Sequence, residues 1–364
     1  MENKKIKLLY VTHKWLDNHY GGRQNLSRIN IGCIENIEEI YEKHYLYLEI
    51  DKISTISKII NLKNLYIDGV TKDKIEEMQS IIEKNKINTV FVDGSTVGII
   101  NKIVKKIDNK IKVITFFHHK EKKLFYEFAK EEKTVKSLIL YLMVYINEKY
   151  AEKYSDYCIF LNKRDSKEFK NKYDIFPMVV KENELIEKNK KPEITSKKMD
   201  KYLLFVGGGG LIGNKKGIIW FIENVLAKIN YKLIVVGTEY EDIKKLYNNV
   251  NFMGKVENLH ELYMNSEAVV APIFLGSGMK TKVAEAASYG KVTFGTEEAF
   301  QGYENYDKIG ILCSSANDFI NKLNEEEYQK FDKQSIKKLY QENYSIESQR
   351  NRLKRFFLNL SEPK

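Results

Sequence analysis

The sequence predicts an α/β protein built from two doubly wound domains, and three observations carry that reading. Apolar runs of strand length alternate with amphipathic helical stretches along the chain, the order expected of parallel βαβ units. One charged segment with little apolar periodicity, Lys181–Asp200, interrupts the alternation, which then restarts. The length, 364 residues, exceeds one ordinary domain and suits two.

In the first half, strands are expected at Ile6–Val11, Tyr45–Ile50, Asn64–Ile67, Thr89–Val92, Val113–Phe117 and Tyr157–Leu161. Helices such as Gln24–Asn36, Lys72–Asn85 and Ser137–Tyr154 lie between them, and Ser166–Lys172 follows the last strand. Beyond the linker come strand Tyr202–Val206, helix Gly217–Ile229, strand Lys232–Val236, helix Glu241–Tyr247 and strand Val250–Met253. Helix Leu259–Ser266, strand Ala268–Pro272, helix Lys280–Tyr289 and strands Lys291–Gly295 and Ile309–Cys313 complete the second sheet, and Ala316–Tyr340 and Ile346–Leu360 read as helical. The expected domains are 1–176 and 177–340, with a C-terminal helix in 341–364 packing back on the first. Two such sheets facing each other leave a cleft at the carboxyl ends of their strands, where a ligand is expected.

Hydrophobic residues make up 43% of the chain, ample for two cores. The longest apolar runs, such as Tyr202–Val206 and Leu233–Val236, fall far short of the ~18–20 residues of a membrane-spanning helix. Met1–Lys5 leads into a strand without the apolar stretch of a secretory signal, so the chain reads as cytoplasmic. Cys33, Cys158 and Cys313 are far apart and show no metal-ligand spacing; they read as buried small hydrophobes, and no metal is implied.

The net charge of +10 is concentrated in Lys102–Lys112, Lys120–Lys136 and Lys181–Lys201. Such a balance attracts polyanions: nucleic acid, anionic lipid headgroups or phosphorylated substrates. Solvated faces of a Lys/Asn/Ile-rich composition account for it as well. No RNP, zinc-finger or helix-turn-helix pattern accompanies the charge, which makes nucleic acid the weakest of these partners.

Three glycine-bearing loops sit between a strand and a helix, where free backbone N–H groups and the helix dipole favour anions. The first, Tyr20-Gly21-Gly22-Arg23, is a turn that any α/β protein can use. The second, Gly207 to Gly217, contains G-x-G-x-x-G from Gly208 to Gly213 and invites a dinucleotide-binding reading. Two features weaken it: Asn214-Lys215-Lys216-Gly217 is read as continuing the loop before the helix, and the nearest acid after the next strand, Glu239, is too far along. The third, Gly276-Ser277-Gly278-Met279-Lys280, feeds a helix whose start holds Lys280 and Lys282. Helix N-terminus, free N–H groups and two ammonium ions suit a diphosphate. Glu285, one turn after Lys282, can accept hydrogen bonds from a ribose. Exposed Lys/Glu pairing along a helix explains the charges but not the glycines before them.

The C-terminal stretch resembles family 4 glycosyltransferases, a large GT-B group that builds surface polysaccharides and glycolipids. The landmarks, in order, are Phe205–Gly217, Val235-Val236-Gly237, Phe252-Met253-Gly254-Lys255-Val256, Leu259–Tyr263, Ala268–Pro272, Gly276–Gly290, and Gly295-Thr296 with Gly302. The N-terminal half matches more loosely, through Gly21-Gly22, Phe116-Phe117-His118-His119-Lys120-Glu121, and Tyr157–Arg164 leading to Asp165, as in bacterial capsule-type transferases of the group. The resemblance implies two Rossmann-like domains facing across a cleft, with the donor site in the second. Lys216, Lys280 and the main chain at 277–280 would hold the donor diphosphate; Lys280, Ser277 and His118 are assigned as catalytic, and Gly208, Gly237, Gly278, Met279 and Lys282 as donor-binding. Glu285 would bind the ribose, and the turn at 254–258, with Lys255 and Val256, would read the base. Gly21 and Gly22 would face the phosphates from across the cleft.

By the same resemblance His118 would approach the transferred sugar. Adjacent residues at a strand end point to opposite sides, so His119 is assigned a structural or acceptor-side role. This sequence departs from the family at two places. The first glutamate of the common Glu-x7-Glu falls at Ser277, and an arginine often found before the Lys-Gly pair is replaced by Gly210. The implied activity is transfer of a hexosyl unit from a nucleoside-diphosphate sugar to a saccharide, glycolipid or glycoprotein acceptor, retaining and metal-independent, with no cofactor. Binding to anionic membrane at the inner face is a further expectation. The alternatives are a GT-B-shaped partner subunit without catalysis, or an NAD-dependent oxidoreductase resting on Gly208–Gly213.

Overall fold

The computed structural model describes residues 5–14, 21–49, 61–167, 169, 172–181, 201–247, 249–276 and 278–361. The chain divides into two compact units, Met1–Pro177 together with Gln349–Lys364, and Met178–Ser348. The linker expected at Lys181–Asp200 lies outside the described residues, apart from Lys181.

The N-terminal unit carries a six-stranded parallel sheet in the order β2-β1-β3-β4-β5-β6. Its strands are β1 (Ile6–His13), β2 (Ile40–Leu48), β3 (Thr89–Asp93), β4 (Lys112–Phe117), β5 (Tyr157–Phe160) and β6 (Tyr173–Ile175). Every residue of β3 is buried, as a strand covered by helices on both faces requires. Helices α1 (Gly22–Glu35), α2 (Lys72–Asn85), α3 (Ile99–Ile107), α4 (Glu121–Glu132), α5 (Val135–Tyr154) and the single turn α6 (Lys163–Ser166) connect the strands. Local chemistry sets their ends: Thr71 caps α2 by accepting from the Lys74 N–H, and Thr134 and Ser137 form a reciprocal capping box at α5.

Three expectations are corrected here. Asn64–Ile67 is not a strand: Leu65, Asp68 and Gly69 take φ of 60°, 57° and 83°, which folds the segment into a turn. The helix expected at Ser166–Lys172 is instead the turn Lys163–Ser166, started by Asn162 accepting from the Asp165 N–H, with residues 168, 170 and 171 outside the described set. The second strand begins at Ile40 rather than Tyr45.

The C-terminal unit repeats the plan in the order β12-β11-β10-β7-β8-β9, all parallel. The strands are β7 (Tyr202–Val206), β8 (Lys232–Val236), β9 (Val250–Gly254), β10 (Ala268–Ala271), β11 (Thr293–Gly295) and β12 (Gly310–Leu312). The helices are α7 (Ile212–Asn224), α8 (Glu241–Lys244), α9 (His260–Asn265), α10 (Thr281–Ser288), α11 (Ala316–Asn324), α12 (Lys333–Asn343) and α13 (Ile346–Ser361), the last belonging to the N-terminal unit from Gln349 onward. The helical tail expected over Ala316–Tyr340 is broken at Glu326, whose φ of 50° ends one helix before the next begins.

In each sheet the chain runs outward from a central strand in one direction and then returns to build the other side. The reversal lies between β1 and β3 in the first unit and between β7 and β10 in the second. A doubly wound sheet opens its binding crevice at the carboxyl ends of such a pair.

Candidate active site

At the β7/β10 switch point two loops are locked together by glycine. α7 opens at Ile212, within the G-x-G-x-x-G run, so Asn214, Lys215, Lys216 and Gly217 are helical and not loop as expected. Gly213 and Gly217 lie one turn apart on one face of α7. A methyl group at Gly213 would run into the carbonyl oxygen of Leu275, and one at Gly217 into that of Pro272. The two glycines therefore let the main chain after β10 lie directly on α7, which brings the second and third glycine loops side by side.

Lys282 is the polar centre of this arrangement. It is 5% exposed, in the first turn of α10. Its Nζ donates to Asn214 Oδ1 at 2.9 Å and sits 4.0 Å from the centroid of the Phe205 ring. Among the described residues no carboxylate pairs with it. Burial pulls its pKa down to about 7, against the pull of Glu285. Above it, the main chain of Gly207 passes so close that a Cβ there would be 3.0 Å from Nζ. The glycine at 207, with φ of 155°, is a backbone approach that an L side chain rarely allows.

Glu285, on the same helix, accepts from the Tyr263 hydroxyl at 3.0 Å, and Tyr263 stacks on Tyr289 at 4.7 Å. Burial raises the Glu285 pKa, opposed by Tyr263 and Lys282. Lys280 is the N-cap of α10, and its Nζ is held by Glu298 at 2.9 Å and by the Gly278 carbonyl at 2.9 Å. Met279 is buried, its Sδ accepting from the Met178 N–H. Gly278 turns with φ of 64°, and Ser277 lies outside the described residues. Lys216 is exposed on α7, and its neighbour Lys215 pairs with Asp242. Gly208 follows the β7 turn, and Gly237, with φ of 146°, abuts the Gly207 carbonyl at the end of β8. After β9, Lys255 is exposed while Val256 packs on the core around Tyr202 and Tyr263.

The N-terminal unit builds a second polar cluster at its own switch point. Asp93, the last residue of β3, accepts from Thr12 at 3.0 Å and lies 2.8 Å from His118 Nε2, just after β4. Asp93 and His118 are 1% and 3% exposed. The nearby His118 holds the Asp93 carboxyl down at about 2 despite burial, while burial pushes the His118 pKa below its ordinary value. His118 is then neutral at pH 7, with Nε2–H donating to Asp93 and Nδ1 buried without a hydrogen-bond partner.

His119 turns the other way, to Glu121 at 2.9 Å. The two neighbours thus serve different carboxylates. Gly21 is the N-cap of α1 and Gly22 its first residue, followed by Arg23. The Arg23 guanidinium reaches Asp68 at 3.3 Å and Glu121 at 3.6 Å, and Asp68 also meets His13 at 3.0 Å.

Asp93, Arg23, Asp68, Asn214 and Glu298 escaped the sequence reading. Asp93 had a signal, an acid closing an otherwise apolar strand; Arg23 directly follows the glycine pair. Asp68 had none, because its turn was read as a strand. Among the described residues no group of His, Cys, Asp and Glu is arranged to hold a metal ion, and no helix is long and apolar enough to cross a membrane. All three cysteines are buried.

Residues 200–325 match the family model described as Glycosyl transferases group 1. The whole architecture recurs in solved structures. HepE of Anabaena, in complex with UDP, superposes with a TM-score of 0.66 at 11% identity, covering 97% of this chain and 100% of that one. Sucrose-phosphate synthase of Thermosynechococcus elongatus gives 0.69 at 14% identity over 97% and 99%. WaaG, a glycosyltransferase involved in lipopolysaccharide biosynthesis, gives 0.56 at 14% identity over 92% and 93%.

The fold is GT-B. Within this GT-B chain the matched segment contains the glycine loop after β7, the α10 lysines, Glu285 and Glu298. No curated protein matches the sequence.

Proposed function

We propose that this protein transfers a sugar from a nucleoside-diphosphate sugar to a hydroxyl of a saccharide, lipid-linked or protein acceptor, retaining anomeric configuration and using no metal ion. One observation carries the reading: Lys282, an almost fully buried ammonium at a helix N-terminus and a sheet switch point, has only neutral partners among the described residues. A buried charge without a counter-ion is costly. A diphosphate seated against the Gly207 turn and the start of α10 would supply the counter-ion. The complexes of HepE with UDP and with UDP-glucose support a nucleotide sugar as the ligand of this architecture.

In the proposed reaction the bond from the anomeric carbon to the diphosphate oxygen breaks, and the leaving diphosphate gains charge. Lys282, Lys216 and the amides opening α10 would stabilise it electrostatically. The acceptor oxygen bonds to the same carbon, and its proton passes to the departing phosphate. Glu285, set by Tyr263, would accept from the ribose hydroxyls, and Gly254, Lys255 and Val256 would offer main chain to the base. For the N-terminal unit the reading assigns Gly21 and Gly22 to the phosphates and the Asp93–His118 pair to the transferred sugar.

A peripheral hold on anionic membrane, at its cytoplasmic face, belongs to the same proposal. Leu124, Tyr126, Phe128, Val135, Leu138, Ile139, Leu142 and Tyr145 of α4 and α5 are all exposed, beside exposed Lys123, Lys130, Lys133 and Lys136. Exposed apolar side chains, interspersed with lysines and with exposed Glu127, Glu131 and Glu132, suit an interfacial helix pair.

Calorimetry with UDP, GDP and ADP on the wild type and Lys282→Met tests the donor site. One nucleotide should bind, and the variant should lose about tenfold or more in affinity. Absence of binding, or binding indifferent to the substitution, refutes the assignment. Nucleotide-sugar hydrolysis in EDTA then decides metal independence, and nucleotide binding without turnover of any donor or acceptor would point to a non-catalytic subunit.

A further inference from the structure

We propose that Glu298, paired with Lys280, reads the hydroxyl groups of the donor sugar. The inference rests on the donor-site reading above and adds to it the residue that distinguishes one sugar from another.

The two lysines of α10 live in different electrostatic surroundings. Among the described residues no carboxylate forms an ion pair with Lys282, whereas Lys280 Nζ lies 2.9 Å from Glu298 Oε1. A neutralised ammonium is a poor anchor for a diphosphate, so the charge-bearing role falls to Lys282. The pair is held in place from several sides. The Lys280 carbonyl accepts from the buried Tyr303 hydroxyl at 2.7 Å, and its ammonium also donates to the Gly278 carbonyl. Glu298 follows β11, and its loop is tied to the loop after β10 by Thr296, whose hydroxyl donates to the Ile273 carbonyl. The carboxylate therefore lies beside the Lys280 ammonium, which also meets the Gly278 carbonyl, with the Lys280 side chain folded over Gly276.

That turn is where the sequence lacks an acid. Position 277, which carries the first glutamate in the resembling family, is serine here. Glu298 brings a carboxylate to the same turn from the neighbouring strand. Both side chains are partly open, at 14% for Lys280 and 19% for Glu298, and an ion pair so placed adds little to stability by itself. As a recognition device it is well matched: a sugar hydroxyl both donates and accepts, and the pair offers a carboxylate acceptor beside an ammonium donor.

The test compares affinities for a nucleoside diphosphate and for its sugar conjugates: UDP with UDP-glucose, UDP-galactose and UDP-N-acetylglucosamine, and GDP with GDP-mannose. Glu298→Gln should weaken the preferred sugar nucleotide about tenfold, and leave the parent nucleotide within about twofold, and Lys280→Met should weaken the sugar nucleotide by a larger factor than the parent nucleotide. Equal weakening of both ligands would make the pair a scaffold for the loop and overturn the inference. So would an unchanged affinity for both. A wild type that binds none of these nucleotides fails earlier, in the donor-site reading. Thermal midpoints of the two variants, expected near the wild-type value, separate loss of recognition from loss of fold.

Discussion

The ammonium of Lys282 and the side-chain oxygen of Asn214 lie 2.9 Å apart across the two loops of the C-terminal switch point. The contact joins the glycine loop after β7 to the helix after β10, and it leaves the lysine short of negative charge. Its folded-state pKa of about 7 lies below the ordinary 10.5, so the unfolded chain binds more protons between those values, and this group's contribution to stability rises with pH across that window. An anion bound beside it restores the charge. Nucleoside-diphosphate binding near pH 8 should therefore take up a proton. Calorimetry in buffers of different ionisation enthalpy reads that uptake, which should vanish in Lys282→Met.

Replacing Gly217 by Ala should disrupt the same site from behind. The new methyl group would meet the Pro272 carbonyl, a main-chain atom, so helix or loop must shift. Overpacking of this kind costs about 1–3 kcal/mol. Urea denaturation should show the loss, and nucleotide affinity should fall with it because the two loops are pushed apart. Gly213→Ala, opposed by the Leu275 carbonyl, should behave alike.

In the N-terminal unit, Asp93→Ala strips His118 of its partner. Leaving a buried donor without its acceptor costs about 1–3 kcal/mol. The Asp93 pKa is lowered to about 2 from 3.8, so its contribution is present above pH 3.8 and lost as pH falls through about 2. Asp93→Asn should lessen that acid dependence, and denaturation curves measured between pH 2 and 5 would show it.

How far the sequence announced this arrangement depends on separation along the chain. β3, β7, β8 and β10 are legible because each is built on a continuous run of apolar residues, the mark of a strand covered on both faces. Lys282 and Glu285 are legible because one helix carries both. The partners that define their chemistry lie elsewhere: Asn214 is 68 residues from Lys282, and Asp93 is 25 from His118. Composition also misled. Gly213 and Gly217 suggested loop, because glycine weakens a helix, yet both are there so that α7 can touch another backbone. Leu65-Tyr66-Ile67 looked like a strand, although the Asp68-Gly69 turn signal followed directly.

Glu148 offers a test of opposite sign. It is fully buried on α5, accepts from the Lys122 N–H at 3.1 Å, and burial raises its pKa to about 7. The folded state binds more protons than the unfolded between 4.5 and 7, so the group's contribution falls as pH rises through that interval. Glu148→Gln keeps an acceptor for the amide and removes the charge. The variant should be more stable than wild type by roughly 2–3 kcal/mol above pH 7 and indistinguishable from it near pH 4, as thermal midpoints in the two buffers would show.

The α4–α5 pair yields a prediction about location. Vesicles containing phosphatidylserine should sediment the protein at low salt and release it as ionic strength rises. Leu138→Glu with Leu142→Glu should abolish the association while nucleotide binding persists. Retention on neutral vesicles at high salt would instead mark the face as purely apolar.

Gln349 donates to Asn30 at 2.8 Å, and both side chains are fully buried. The first compact unit thus takes its final helix from the far end of the chain, after the entire second sheet has been synthesised. A ribosome-bound intermediate that has released β1 to β6 still lacks the side chains that cover α1. The early half must wait, incompletely sealed, until the second unit has been made and Gln349 follows it. Truncating the chain before Gln349 would therefore damage the half that is made first.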